Sequence, residues 1–83
     1  MVQNIDPAAL RQDLLAIEEK IANGLRQIIE QRALVAKLER DGSATDHAKY
    51  LLAGLELLQA AHRDGRNKIL RELDKIPDQA ADS

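Results

Sequence analysis

The segment His62-Arg63-Asp64-Gly65-Arg66-Asn67 contains residue types that serve in acid–base chemistry, metal binding and phosphate contact. Loops that transfer phosphoryl groups place a catalytic Asp five positions before a metal-binding Asn, within a large nucleotide-binding domain. Here Asp64 and Asn67 are three positions apart, in a chain of 83 residues with no glycine-rich phosphate loop. The segment therefore does not indicate phosphoryl transfer.

A metal site at His62 would need further ligands one helical turn away, at positions 58, 59, 65 and 66. Those positions hold Leu, Gln, Gly and Arg, and the chain contains no Cys. We therefore expect a structural role for His62, and neither a metal site, a cofactor nor a catalytic set of residues.

Four basic residues follow His62 and offer a second functional hypothesis, contact with phosphate or nucleic acid. Acidic residues interrupt the cluster, the net charge is −2, and one Tyr is the chain's sole aromatic residue, which leaves little for base stacking. A solvated helix face is the favoured interpretation and nucleic acid is not an expected partner. The possible phosphate contacts are Arg63, Arg66, Lys68 and Arg71.

The elements that carry these residues are two long helices. Asp6 can cap the first helix, with Pro7 at its first position, and Gly42 can close it in the left-handed conformation. Ser43, followed by an acid three residues later, resembles a capping box for the second helix, and Thr45 is the alternative cap. The sequence predicts a helical hairpin over 6–76, with helices at about 7–40 and 44–75, a turn at 41–43, and flexible tails at 1–5 and 77–83.

Apolar residues recur at heptad spacing in both helices, so the predicted fold is an all-α antiparallel hairpin. Folding the chain at Gly42 places Gly24 opposite His62 and Ile21 opposite Gly65. We call the line of residues with which each helix packs against the other its seam. The predicted seam of the first helix is Leu10, Leu14, Ile17, Ile21, Gly24, Ile28, Gln31, Val35 and Leu38. The predicted seam of the second is Ala48, Leu51, Leu55, Leu58, His62, Gly65, Ile69, Glu72 and Ile76.

Apolar residues beyond this seam make the apolar arc of each helix much wider than a coiled-coil stripe. A lone hairpin would leave that arc in water, so we expect two hairpins to pair as a homodimeric four-helix bundle, with another helical protein as the alternative partner. The predicted function is a non-enzymatic protein–protein interaction module: an adaptor, regulator or assembly factor. The predicted self-association interface is Leu15, Ala22, Leu25, Ile29, Tyr50, Gly54, Leu57 and Ala61.

The segments LERDG (38–42), LLAGLELLQAAH (51–62) and LRELD (70–74) resemble those of small uncharacterised bacterial proteins with the same helical-hairpin layout. This resemblance implies the fold and transfers no activity. Residues 10–35 also loosely resemble the first helix of all-helical chorismate mutases, where Arg11 matches the Leu-Arg start. The position of that family's later carboxylate-binding Arg holds Ile28, so a mutase-like enzyme is only a remote alternative.

No apolar run approaches the ~20 residues of a membrane span, and the first residues lack the pattern of a secretory signal. The expectation is a cytoplasmic protein without membrane contact.

Overall fold

A computed structural model describes residues 6–76 of the chain. Within this range the fold consists of two antiparallel α-helices, α1 (Pro7–Arg40) and α2 (Asp46–Asp74), with no strand. The predicted all-α helical hairpin is confirmed. Neither helix of the described segment combines the length and apolar character that crossing a membrane would require. The tails predicted at 1–5 and 77–83 lie outside the described residues.

Both ends of α1 form as the sequence predicts. The Asp6 carboxylate accepts a hydrogen bond of 3.0 Å from the Ala8 amide, which satisfies one of the free N–H groups of the first turn. At the other end Gly42 has a φ of 70°, a left-handed conformation that a residue without Cβ adopts without strain. The Ser43 amide then donates a 2.9 Å hydrogen bond to the Leu38 carbonyl.

The second helix begins at Asp46, two residues later than predicted, because Ser43 contributes to the end of α1 rather than capping α2. Thr45 occupies the cap position, and its side chain makes no capping hydrogen bond. The connection therefore spans 41–45 instead of 41–43. At its far end α2 stops at Asp74, where the Lys75 amide donates to the Glu72 carbonyl and the Ile76 amide to the Leu73 carbonyl.

The seam of α1 contains all nine predicted residues, each at least partly buried. The seam of α2 differs in its middle: Leu52 and Gln59 face α1, whereas Leu51 and Leu58 are 44% and 53% exposed. Successive residues are about 100° apart around a helix, so each exchange moves a leucine from the seam to its flank.

The buried Gln59 explains this rotation. Its side-chain Nε2 donates a 2.9 Å hydrogen bond to the Ile21 carbonyl, and Gln59 is only 4% exposed. Helical side chains lean toward the N-terminus, so a side chain at position 24 would cover the carbonyl one turn before it. Gly24 leaves that carbonyl open, and a Cβ built there would overlap the Gln59 amide.

The predicted pairing of the two helices is therefore wrong by about one turn. Gly24 faces Gln59 rather than His62, and Gly65 faces Ile17 rather than Ile21. Heptad counting assumes that apolar residues occupy the seam. Here Gln59, which donates a hydrogen bond to a main-chain carbonyl, occupies the seam position instead of Leu58.

The hydrophobic core of the hairpin is small. In the described segment Ile28, Val35 and Ala48 are the buried apolar residues, and all three lie in the half of the hairpin nearest the turn. In the same half Gln31 donates a 3.0 Å hydrogen bond to the Ala48 carbonyl. Two helices form a single layer, so the side chains that do not face the seam have no second layer to cover them.

Candidate interaction surface

One side of α2 carries an exposed apolar surface, which we name the α2 apolar face. Tyr50 and Leu57 are its most exposed large residues, at 75% and 73%. The face lines an open recess of about 540 Å³, to which α1 contributes Gln31. The α2 apolar face consists of Tyr50, Leu51, Gly54, Leu57, Leu58 and Ala61.

The face is continuous because of helical periodicity. Tyr50, Gly54, Leu57 and Ala61 follow one another at spacings of four, three and four residues, which places them in one stripe along the helix. All four are exposed. Leu51 and Leu58 would have belonged to the seam in the predicted register, and the rotation around Gln59 adds them to this face instead. Sequence reasoning missed both of them as surface residues.

A second exposed apolar surface lies on α1, and we name it the α1 apolar face. It consists of Leu15, Ala22, Leu25 and Ile29, all four exposed. Leu25 lines a separate recess of about 200 Å³, together with Arg32, Glu56 and Ala60.

The two apolar faces lie on different sides of the hairpin. On α2, Leu58 and Ala60 immediately precede and follow the buried Gln59, so they project to opposite sides of the seam. Leu58 belongs to the recess beside Tyr50, and Ala60 to the recess beside Leu25. The eight residues predicted as one self-association interface are therefore all exposed, but they form two surfaces.

Both ion pairs between the helices lie on the side of Leu25. Arg32 Nη2 is 2.9 Å from Glu56 Oε2, and Lys49 Nζ is 3.6 Å from Glu39 Oε2. Glu56 and Lys49 are seven residues apart, so they share one side of α2. Two charged side chains of α2, Lys49 and Glu56, are paired there, whereas the stripe Tyr50, Gly54, Leu57 and Ala61 contains no charged residue.

A recess of about 310 Å³ lies between the helices near Gly24 and is lined in part by Lys20, Asn23 and His62. His62 is half-buried, as predicted, but Gln59 rather than His62 occupies the space above Gly24. Gln59 Oε1 and His62 Nδ1 are both buried without a hydrogen-bond partner in this part of the chain. Residues 6–76 contain no group of three or more His, Asp or Glu side chains positioned to hold a metal ion.

The four basic residues predicted as possible phosphate contacts do not share a face of α2. Arg66 is half-buried on the seam side, and its Nε is buried without a partner among the described residues. Lys68 comes two residues later, about 200° around the helix, and is exposed. Arg63 and Arg71 are also exposed. They are eight residues apart, and neither points in the same direction around the helix axis as both Arg66 and Lys68. A phosphate that contacts Arg66 would therefore be distant from Lys68.

A comparison of the chain with protein-family models, curated proteins and solved structures finds no match.

Proposed function

We propose that this protein is a non-enzymatic interaction module that self-associates through the α2 apolar face, so that two hairpins form a four-helix assembly. The observation that supports the proposal is the exposure of four large apolar side chains on one side of α2: Tyr50, Leu51, Leu57 and Leu58. A contiguous exposed apolar surface of this kind is typical of protein–protein contact sites.

The size of the hydrophobic gain is consistent with a specific but reversible dimer. Complete burial of one large apolar side chain contributes about 1.5–3 kcal/mol, and these residues are already partly covered. Eight such side chains in a dimer then contribute on the order of 10 kcal/mol. Association costs about 4–15 kcal/mol in lost freedom of motion, so the net affinity depends on how well the two faces fit.

The charge distribution also favours this side of α2. An interface needs an apolar centre and a charged periphery, because unpaired charges are costly to bury. Glu56 and Lys49 form their ion pairs with α1 on the opposite side of the seam, so association through the α2 apolar face leaves both pairs in water.

The substitution Leu57→Glu tests the proposal, because it places a charge at the centre of the α2 apolar face. We expect the variant to remain helical, because the Leu57 side chain is largely exposed and contributes little to the core of the hairpin. It should become monomeric in light scattering. Glu56→Ala, which changes a neighbouring residue outside the face, is the matched control and should remain dimeric. A wild-type protein that is monomeric at tens of micromolar, or a dimeric Leu57→Glu variant, would contradict the proposal.

A further inference from the structure

Gly54 lies at the centre of the α2 apolar face, and no contact within residues 6–76 explains it. A Cβ built at Gly24 would overlap Gln59, a Cβ at Gly65 would lie 2.7 Å from Ile17 Cδ1, and Gly42 has a positive φ. At Gly54 a Cβ would meet no neighbouring side chain within 4 Å in the described part of the chain. Glycine within a helix is less stable than alanine, so Gly54 weakens the hairpin without improving its packing.

The residues around Gly54 alternate in size along the stripe. Tyr50 and Leu57 are large and project from the helix. Gly54 leaves a notch between them, and Ala61 leaves a second notch on the C-terminal side of Leu57. A stripe with spacings of three and four residues is the geometry with which one helix packs its projecting side chains into the gaps of another.

We propose that α2 of a second copy packs antiparallel on this stripe, about a two-fold axis that passes between Gly54 and Leu57. The inference rests on the proposed self-association and specifies its geometry. An antiparallel pair with this axis places Leu57 in the notch of the partner's Gly54, and the symmetry repeats the contact. The same axis places Tyr50 against the partner's Ala61. Each large side chain therefore meets a small one.

The polar residues at the two ends of the stripe support the same axis. One step beyond Tyr50 the stripe continues with His47, and one step beyond Ala61 it continues with Asp64, both exposed. The axis brings His47 beside the partner's Asp64 at each end, so an imidazole meets a carboxylate twice. A parallel arrangement of the two α2 helices would instead align each residue with its own copy, Tyr50 with the partner's Tyr50 and Asp64 with the partner's Asp64.

The flanks of the stripe are also compatible with this pairing. Leu51 and Leu58 lie along one edge, and the two-fold axis brings Leu51 beside the partner's Leu58 on the same side of the pair. Alanines occupy the other edge, at positions 53 and 60, which lets the two helices approach closely. The α2 helices then form the centre of the assembly, with the α1 helices outside.

An exchange of the large and small residues tests the geometry. Gly54→Leu alone confronts the partner's Leu57 with a second large side chain, so we expect the dimer dissociation constant to rise at least tenfold in sedimentation equilibrium. The double variant Gly54→Leu/Leu57→Gly keeps the composition and restores one large residue opposite one glycine. It should recover most of the lost affinity. A Gly54→Leu variant that dimerises as well as the wild type, or a double variant that fails to recover, would overturn the inference.

Cross-linking separates this inference from the broader proposal. The chain has no Cys, so Leu57→Cys introduces a single thiol about 4.5 Å along the helix axis from its symmetry mate, at about 1.5 Å per residue. Ile29→Cys on the α1 apolar face is the control. We expect oxidation to link Leu57→Cys into covalent dimers and to leave Ile29→Cys unlinked. An equal mixture of Tyr50→Cys and Ala61→Cys chains should link one variant to the other, and a mixture that links each variant to itself would overturn the antiparallel axis while association through the α2 apolar face stands. Dimers that link only through Ile29→Cys, or a monomeric wild type, would overturn both.

Discussion

The Gln59 side-chain amide donates a hydrogen bond of 2.9 Å to the main-chain carbonyl of Ile21, in the space that Gly24 leaves open. This contact brings a polar residue to the seam of an otherwise apolar hairpin. It also turns Leu58 outward, because Leu58 precedes Gln59 by one position on the helix. The polar contact in the seam and the exposure of Leu58 on the α2 apolar face therefore have a common structural cause.

Substitutions of Gln59 should separate its packing from its hydrogen bond. Gln59→Ala removes both and should lower the free energy of unfolding by about 1–2 kcal/mol. Gln59→Leu retains most of the packing, and it also removes Oε1, which is buried without a partner in the described segment. The Ile21 carbonyl keeps its place in the α1 hydrogen-bond ladder, so Gln59→Leu should change the stability by less than about 1 kcal/mol.

Urea denaturation at a fixed protein concentration measures both variants. If Gln59→Leu destabilises the protein as much as Gln59→Ala, the hydrogen bond contributes more than this account allows.

The two helix starts differ in their caps and should differ in their response to mutation. The Asp6 side chain accepts a hydrogen bond from Ala8, so Asp6→Ala should cost about 1 kcal/mol of stability. The Thr45 side chain makes no capping hydrogen bond, and Thr45→Ala should therefore cost less. Thermal unfolding followed by circular dichroism provides the comparison. An equal loss at both positions would show that the Asp6 hydrogen bond has no special effect.

The ion pair between Arg32 and Glu56 should make only a small contribution to stability. Its atoms are 2.9 Å apart, but both side chains are about half exposed, so water and salt screen the attraction. A double-mutant cycle with Arg32→Ala and Glu56→Ala should give a coupling of about 0.2–1 kcal/mol at low salt, and less in molar salt. A larger coupling that salt does not reduce would contradict this description of the pair.

The sequence predicts the hairpin well because its signals are local. The cap at Asp6, the left-handed residue at Gly42 and the heptad pattern of α1 each depend on neighbouring residues, and the structure contains all three. The start of α2 was less predictable, since Ser43 suits both the end of one helix and the beginning of the next.

The rotation of α2 could not be read from the periodic pattern. Leu58 and Gln59 are adjacent, and hydrophobicity alone assigns the leucine to the seam. The deciding contact joins residues 38 positions apart and depends on a carbonyl that only Gly24 exposes. A glycine facing a long amide side chain is a signal that sequence reasoning could have used. The exposure of Leu51 and Leu58 on the α2 apolar face also follows from this rotation.

Self-association should make the thermal stability depend on protein concentration. Only folded chains associate into the dimer. Dilution favours the monomer, so it lowers the midpoint temperature of unfolding by mass action. Leu57→Glu should abolish this dependence, because it removes the dimer and leaves the hairpin. A midpoint that is the same at every concentration for the wild type would indicate that the hairpin unfolds as a monomer.

The mass of the wild-type protein in solution tests the central claim most directly. Sedimentation equilibrium at tens of micromolar should give twice the chain mass of 9.2 kDa, and the value should fall toward 9.2 kDa on dilution. A constant mass of 9.2 kDa over the whole concentration range would contradict the claim that the α2 apolar face joins two copies of this chain.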